Sequence, residues 1–304
     1  MGYARWRLLT VCSSLFLVAW LTSGPAAAQR SAGKALPEGR STRVVRDVVY
    51  YSGPDADPVK HQLDMYLPQE RTGFPVVLFV HGGGWRHGDK RMLFDLHAKI
   101  GERFVRQGIG FIAVNYRLSP KVQHPEHAKD VARAVAWTVK HLADYGGDAR
   151  QLYLCGHSAG GHLVSLLATD ERFLAAEGVN LADLRGVVAV SGVYEVLPQE
   201  SFFPSVFGKD PEARRQASPL AHVKPDRPPF LILYADDDYL GLDRMAERFG
   251  KELRRYGNEA AVEEIKQRDH LTIIGRMLTA DDPTLQAIVK FVARHAHTPL
   301  PEAR

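Results

Sequence analysis

Cysteine is nearly absent: the 304 residues hold two, Cys12 and Cys155. That excludes a disulfide-stapled scaffold. Charge bias is absent as well, with 39 basic against 35 acidic side chains. Such a balance does not carry the footprint of a nucleic-acid binder. No H-E-x-x-H occurs, so the zinc-peptidase pattern is missing. "GGGWRHGDK" lacks the G-K-[ST] of a phosphate-binding loop, and it does not fit G-x-G-x-x-G. There is no internal repeat and no low-complexity tract. The apolar run "LLTVCSSLFLVAWL" is shorter than the roughly 20 residues that span a bilayer.

What is present begins with that run. Arg5 and Arg7 precede it, and "TSGPAAAQ" follows with an Ala-x-Ala site ending at Ala28. The pattern predicts a cleaved signal peptide over 1–28 and a secreted or periplasmic protein, with no stable membrane span in the mature chain. Cys12 has no small residue before it, which argues against a lipoprotein signal. Cleavage takes away two arginines and no acid, so the formal +4 becomes +2. It leaves Cys155 as the single cysteine, in an apolar run where a buried small hydrophobe is expected. Residues 29–42 read as a flexible lead-in, 43–298 as one domain and 299–304 as a tail.

Hydrophobic content of 45% allows a large core. "RVVRDVVYY" and "VKHQLDMYL" read as strands around the turn-forming "SGPDADP". "FPVVLFV", "GFIAVNY", "QLYLCG", "GVVAVSG" and "PFLILYA" are continuous apolar runs, as in strands buried on both faces. Helical spacing separates them: in 127–142, Val131, Ala134, Val135, Val139 and Leu142 share one face. Residues 88–107 and 242–256 show weaker versions, and "LQAIVKFVARHA" closes the chain. Strand alternating with helix predicts an α/β fold, a mostly parallel sheet covered on both sides. In such sheets ligands bind beyond the carboxyl ends of the strands.

The residues at those ends carry chemistry. "FPVVLFV" is followed by His81-Gly82-Gly83-Gly84-Trp85, and "QLYLC" by Gly156-His157-Ser158-Ala159-Gly160. "PFLILYA" leads into Asp236, Asp237 and Asp238. A last predicted strand, "AAVEEI", leads into a short loop with Asp269 and His270, and the following "LTIIGRML" reads as a helix packing beneath that loop. A serine hydroxyl needs a base to take its proton as it attacks. An imidazole serves, and an acid on its other nitrogen sets its orientation. A serine on a strand-to-helix corner, two residues from glycine on either side, fits a turn too tight for a Cβ.

"HGGGW" with "GHSAGG" resembles the α/β-hydrolase superfamily, in particular its hormone-sensitive-lipase-type esterases and kynurenine formamidase-like carboxylesterases. "NYRLSP" and "HPEHAKDVARAVAWTVKHLADYGGD" are similar to the segment between those motifs. The resemblance covers about residues 43–296 and implies an α/β-hydrolase fold with a small lid insertion. It implies Ser158 as nucleophile and His270 as base, with the amides of Gly83, Gly84 and Ala159 receiving the oxyanion, ahead of Gly82. The family often carries His-Gly-x-x-Asp where this chain has Tyr234-Ala235-Asp236-Asp237-Asp238. The same offset selects Asp238 as acid, with Asp236 as runner-up.

The implied activity is cleavage of a small carboxylic ester through an acyl-enzyme, without cofactor or metal. The alternatives are an arylformamidase or amidase of the same fold, or a binding protein on a hydrolase scaffold. Oligomeric state is left open. His81 is expected to prop the glycine loop. His157 either lines the pocket or faces a neighbouring loop, and His162 is not placed as a base. Trp85 is a pocket wall or core. His124 and His127 form an H-x-x-H whose reading as a metal pair is weak. In the connection 193–228, Phe202, Phe203 and Phe207 are candidates for a hydrophobic lid or for core.

Overall fold

The computed structural model describes residues 41–197, 204–297 and 300. The stretch 1–28, most of the lead-in, Phe202 and Phe203 lie outside the described residues, as does nearly all of the tail.

Eight strands form one sheet: β1 (Thr42–Val49), β2 (Gln62–Pro68), β3 (Phe74–Val80), β4 (Gly110–Val114), β5 (Gly147–His157), β6 (Leu184–Val190), β7 (Phe230–Asp237) and β8 (Ala260–Asp269). Their order across the sheet is β1-β2-β4-β3-β5-β6-β7-β8. β2 runs antiparallel to β1 and β4, and the remaining neighbours pair in parallel. The helices are α1 (Met92–Arg106), α2 (Glu126–His141), α3 (Ala159–Thr169), α4 (Arg172–Ala176), α5 (Pro204–Phe207), α6 (Pro211–Gln216), α7 (Leu242–Arg255), α8 (Thr272–Gly275) and α9 (Pro283–His295).

The continuous apolar runs are apolar because both of their faces are covered. In β3, Val76, Leu78 and Val80 belong to one buried layer, while Val77 and Phe79 belong to the other. Successive side chains of a strand point to opposite faces, so each layer receives every second residue. The first layer holds Val131, Ala134 and Val135 of α2, Leu163 and Leu167 of α3, and Phe249 of α7. The second holds Ile100 and Phe104 of α1 with Ile288 and Phe291 of α9. The 3.6-residue spacing read in 127–142 is therefore the buried stripe of α2.

β3 continues through α1 to β4 on one side, and β5 through α3 to β6 on the other. The chain thus turns in opposite directions from two adjacent strands, and a crevice opens at their carboxyl ends. Two expectations are corrected here. β8 runs on to Asp269, so His270 follows a strand directly and no loop precedes it. The helix expected over "LTIIGRML" is a single turn, α8. Its Ile273, with Met277 beyond it, is buried in the second layer. Among the described residues no helix is long and apolar enough to cross a membrane.

Candidate active site

The serine corner is built by close approach of main chain. Ser158 has φ 53° and ψ −117°, and α3 begins at the next residue. A non-glycine residue at positive φ is strained and persists only where its surroundings force it. Here the forcing is visible: a Cβ on Gly156 would lie 2.3 Å from the carbonyl oxygen of Gly160. One on Gly160 would lie 2.0 Å from the carbonyl oxygen of Val80, at the end of β3. The Ser158 amide donates to the Val190 carbonyl of β6 at 2.9 Å. Both flanking glycines are thus required by the packing of β5 and α3 against the central strand.

The three side chains expected to converge do so. His270 Nε2 stands 3.0 Å from Ser158 Oγ, and His270 Nδ1 stands 2.6 Å from Asp238 Oδ1. With the Nδ1–H donated to the carboxylate, Nε2 faces the hydroxyl as an acceptor. The His270 and Asp238 side chains are 6% and 2% exposed, which strengthens their attraction. Burial alone would raise the Asp238 carboxyl. Hydrogen bonds from His270, Ser191 and the Ala235 amide outweigh it and hold the group below its ordinary range. Ser191 Oγ donates to Asp238 Oδ2 at 2.6 Å, and the Tyr239 amide donates to Oδ1 at 2.8 Å.

The runner-up acid has a different task. Asp236 is exposed, and its two oxygens accept the amides of Gln267 and Arg268 at 2.9 Å each. Those amides lie at an irregularity in the β7–β8 pairing, where Gln267 has φ 57°. Asp236 therefore clamps the strand that delivers His270 and does not touch the imidazole. Asp269 holds the chain on the other side of His270, with Oδ1 accepting the amides of Leu271 and Thr272 at 2.8 Å.

Three more imidazoles surround the site, and burial pushes the pKa of each down to about 3. His157 faces the segment that follows β8, with Nε2 2.8 Å from the carbonyl of His270 and its ring 4.8 Å from that ring. His81 bonds through Nδ1 to the Gly82 carbonyl at 2.7 Å and stacks on Tyr116. His162 donates from Nε2 to the Ala217 carbonyl at 2.7 Å and accepts the Trp85 indole N–H at 3.2 Å. Trp85 is 2% exposed, and its ring meets Phe207 edge-on at 4.8 Å, so both belong to the core. His127 Nε2 lies 3.1 Å from Ser119 Oγ, while His124 packs on Phe173 and Phe207. Among the described residues no group of three or more His, Cys, Asp or Glu could hold a metal ion. Cys155 is buried, with its thiol pushed far above its ordinary range.

The glycine loop passes directly beside the serine: a Cβ on Gly82 would lie 3.1 Å from Ser158 Cβ. Gly83 and Gly84 follow at φ 109° and 60°. Ala159 is the first residue of α3, where backbone N–H groups lack an acceptor within the helix. A cleft of about 820 Å³ lies elsewhere, between α6 and α7. Its Arg215, Arg248 and Arg255 are already paired with Glu212, Glu195 and Glu252.

Sequence reasoning missed the role of Ser191 and the role of Asp236 as a clamp. For Ser191 the signal was available, since it stands at the end of an apolar strand, where the other site residues were sought.

The BD-FAE family model matches residues 63–249. The probable carboxylic ester hydrolase LipM of Mycobacterium tuberculosis is 36% identical over 213 residues, 63% of this chain and 48% of that protein. A probable isoprenylcysteine alpha-carbonyl methylesterase of Arabidopsis thaliana is 29% identical over 246 residues, 73% of this chain and 50% of that protein. The chain spans about half the length of these two relatives. A kynurenine formamidase of Danio rerio is 25% identical over 261 residues, 83% of either chain. Among solved structures, a truncated carbohydrate esterase from gut microbiota superposes with TM-score 0.70 at 20% identity, covering 86% of this chain and 99% of that one. The thermophilic carboxylesterase EstE1, from a metagenomic library, gives 0.68 at 19%, covering 84% and 90%. These likenesses identify the architecture as the α/β-hydrolase fold.

Proposed function

This chain belongs to the BD-FAE family, and on that footing we propose that it is a serine carboxylesterase with Ser158, His270 and Asp238 as its triad. The observation that carries this reading is the unbroken line from Ser158 Oγ through the imidazole to the Asp238 carboxylate. Esterases among both relatives and structural neighbours support it.

In the proposed reaction His270 Nε2 takes the hydroxyl proton as Ser158 Oγ attacks the ester carbonyl. Asp238 stabilises the imidazolium that forms. The tetrahedral oxyanion is received by the amides of Gly83, Gly84 and Ala159. Each such donor is worth about 3 kcal/mol in the transition state. The imidazolium then gives its proton to the departing alkoxide, leaving the acyl group on Ser158. Water, activated by the same imidazole, hydrolyses the acyl-enzyme and restores the serine. The leader-like stretch 1–28 supports a place outside the cytoplasm.

A formamidase reading uses the same triad, with the formyl group passing to Ser158 and the protonated arylamine leaving in place of the alcohol, and the kynurenine formamidase relative, matched over 83% of both chains, favours keeping it. Turnover of p-nitrophenyl acetate, phenyl acetate and N-formylkynurenine by the purified protein separates the two. The ester reading expects rapid turnover of the acetates. Ser158→Ala is expected to lower it by about 10⁵–10⁶-fold while leaving the circular dichroism and melting profile in place. Parent-like turnover by that variant contradicts the assignment.

A further inference from the structure

The mouth of the site carries three large apolar side chains in the open. Tyr239 is 61% exposed, Leu240 97% and Leu271 66%. Apolar groups this exposed forgo the burial that their type normally gains, and a cluster of them marks a contact surface. The three are tied to the triad. Tyr239 and Leu240 follow Asp238 in the chain, and Leu271 follows His270. The Tyr239 ring lies flat over the His270 imidazole, with centroids 4.0 Å apart and planes at 22°. Its position is fixed from below, because its amide donates to Asp238 Oδ1 and its carbonyl accepts the Leu242 amide. Leu271 is fixed by the Asp269 carboxylate.

We propose that Tyr239, Leu240 and Leu271 form the binding platform for the alcohol half of the ester, and that this platform selects aryl and alkyl alcohols over polyols and sugars. The inference rests on the esterase reading. Its geometry follows from proton delivery: His270 Nε2 must come within hydrogen-bond distance of the departing oxygen to protonate it. The alcohol therefore leaves from beside His270, and its remaining atoms extend over whatever borders that ring. The side chain stacked on the ring is Tyr239, and Leu240 and Leu271, next in the chain to Tyr239 and His270, add exposed surface that offers no hydrogen bond. A hydroxyl-rich alcohol placed there loses water contacts without replacement. An apolar alcohol exchanges water for an aromatic face and two aliphatic side chains.

The test holds the acyl group constant and varies the alcohol. Benzyl, methyl and glyceryl monoacetates are compared with the full chain and with Tyr239→Ser, Tyr239→Phe and Leu240→Ser. Taking each ratio between variant and parent cancels the intrinsic reactivity of the esters. The ratio of kcat/KM for benzyl over methyl acetate is expected to fall about tenfold in Tyr239→Ser and to persist in Tyr239→Phe. Leu240→Ser, at a side chain almost fully in solvent, is expected to lower the same ratio with an unaltered melting temperature. Equal losses on all three esters overturn the platform, as does a parent preference for glyceryl acetate. Parent turnover of methyl acetate that disappears in Ser158→Ala keeps the esterase reading standing whichever way the ratio falls. Absence of turnover on all three esters defeats the esterase reading itself.

Discussion

At the Ser158 corner the chain is held by side chains that are missing; at the His270 corner it is held by carboxylates. Gly156 and Gly160 let main chain pass main chain at distances that no Cβ tolerates. Asp236, Asp238 and Asp269 instead gather the backbone amides of β7, β8 and the first residues of α8. The difference follows from what each corner must do. Ser158 stands at the end of the central strand β5, where both sides are already packed and only removal of atoms makes room. His270 follows the edge strand β8, where packing is one-sided and orientation must come from hydrogen bonds. His157 links the two corners through the His270 carbonyl.

The comparison can be broken from either side. The largest effect is expected from Asp238→Asn, which removes the charge behind His270 and favours the wrong tautomer. Its kcat should fall by about 10⁴-fold. Asp236→Asn serves as the control, because it weakens a clamp on backbone amides, and it should retain most of the activity. If the two variants lose activity equally, the division of labour between these acids is wrong. Next in size is Gly160→Ala. The methyl group would collide with the main chain of Val80 and His81, so a loss of about 3 kcal/mol in urea-unfolding stability is expected. A variant as stable as the parent would show that the corner has room to spare.

The smallest expected effect, taken per residue, is that of pH. His81, His157 and His162 have folded pKa values near 3 against an ordinary 6.5. They are neutral when folded, while the unfolded chain binds protons below pH 6.5. Their contribution is complete above that pH and is lost as pH falls towards 3. The slope is at most about 1.4 kcal/mol per pH unit for each. The carboxylates at the other corner lose theirs only below their ordinary 3.8. Urea midpoints at pH 7.5 and 5.5 check this. An unchanged midpoint would mean that these imidazoles are not buried as neutral groups.

The Ser158 corner was readable in the sequence because missing atoms leave a trace there. Glycines at fixed offsets from a serine, behind an apolar strand, mark a backbone bend that few ordinary turns require. The aspartate that bonds His270 was less readable. Asp236, Asp237 and Asp238 are one residue type in a row, and only the register of β7 against β8 decides which one faces His270. That register includes an irregularity at Gln267, which no periodicity announces. The extension of β8 to Asp269 was hidden for the same reason: "KQRD" is polar because it lies on an edge strand. Trp85 and Phe207 read equally as pocket or core, since an aromatic side chain serves either. Their contact with each other and with His162 decides for core.

The most direct test is to treat the purified protein with a fluorophosphonate and to map the adduct by mass spectrometry. One phosphonyl group per chain, on Ser158 within the peptide containing "GHSAGG" and lost in His270→Ala, is the expected result. A chain that stays unlabelled, or labels at another residue while Ser158 stays free, would contradict the assignment of this serine as an activated nucleophile.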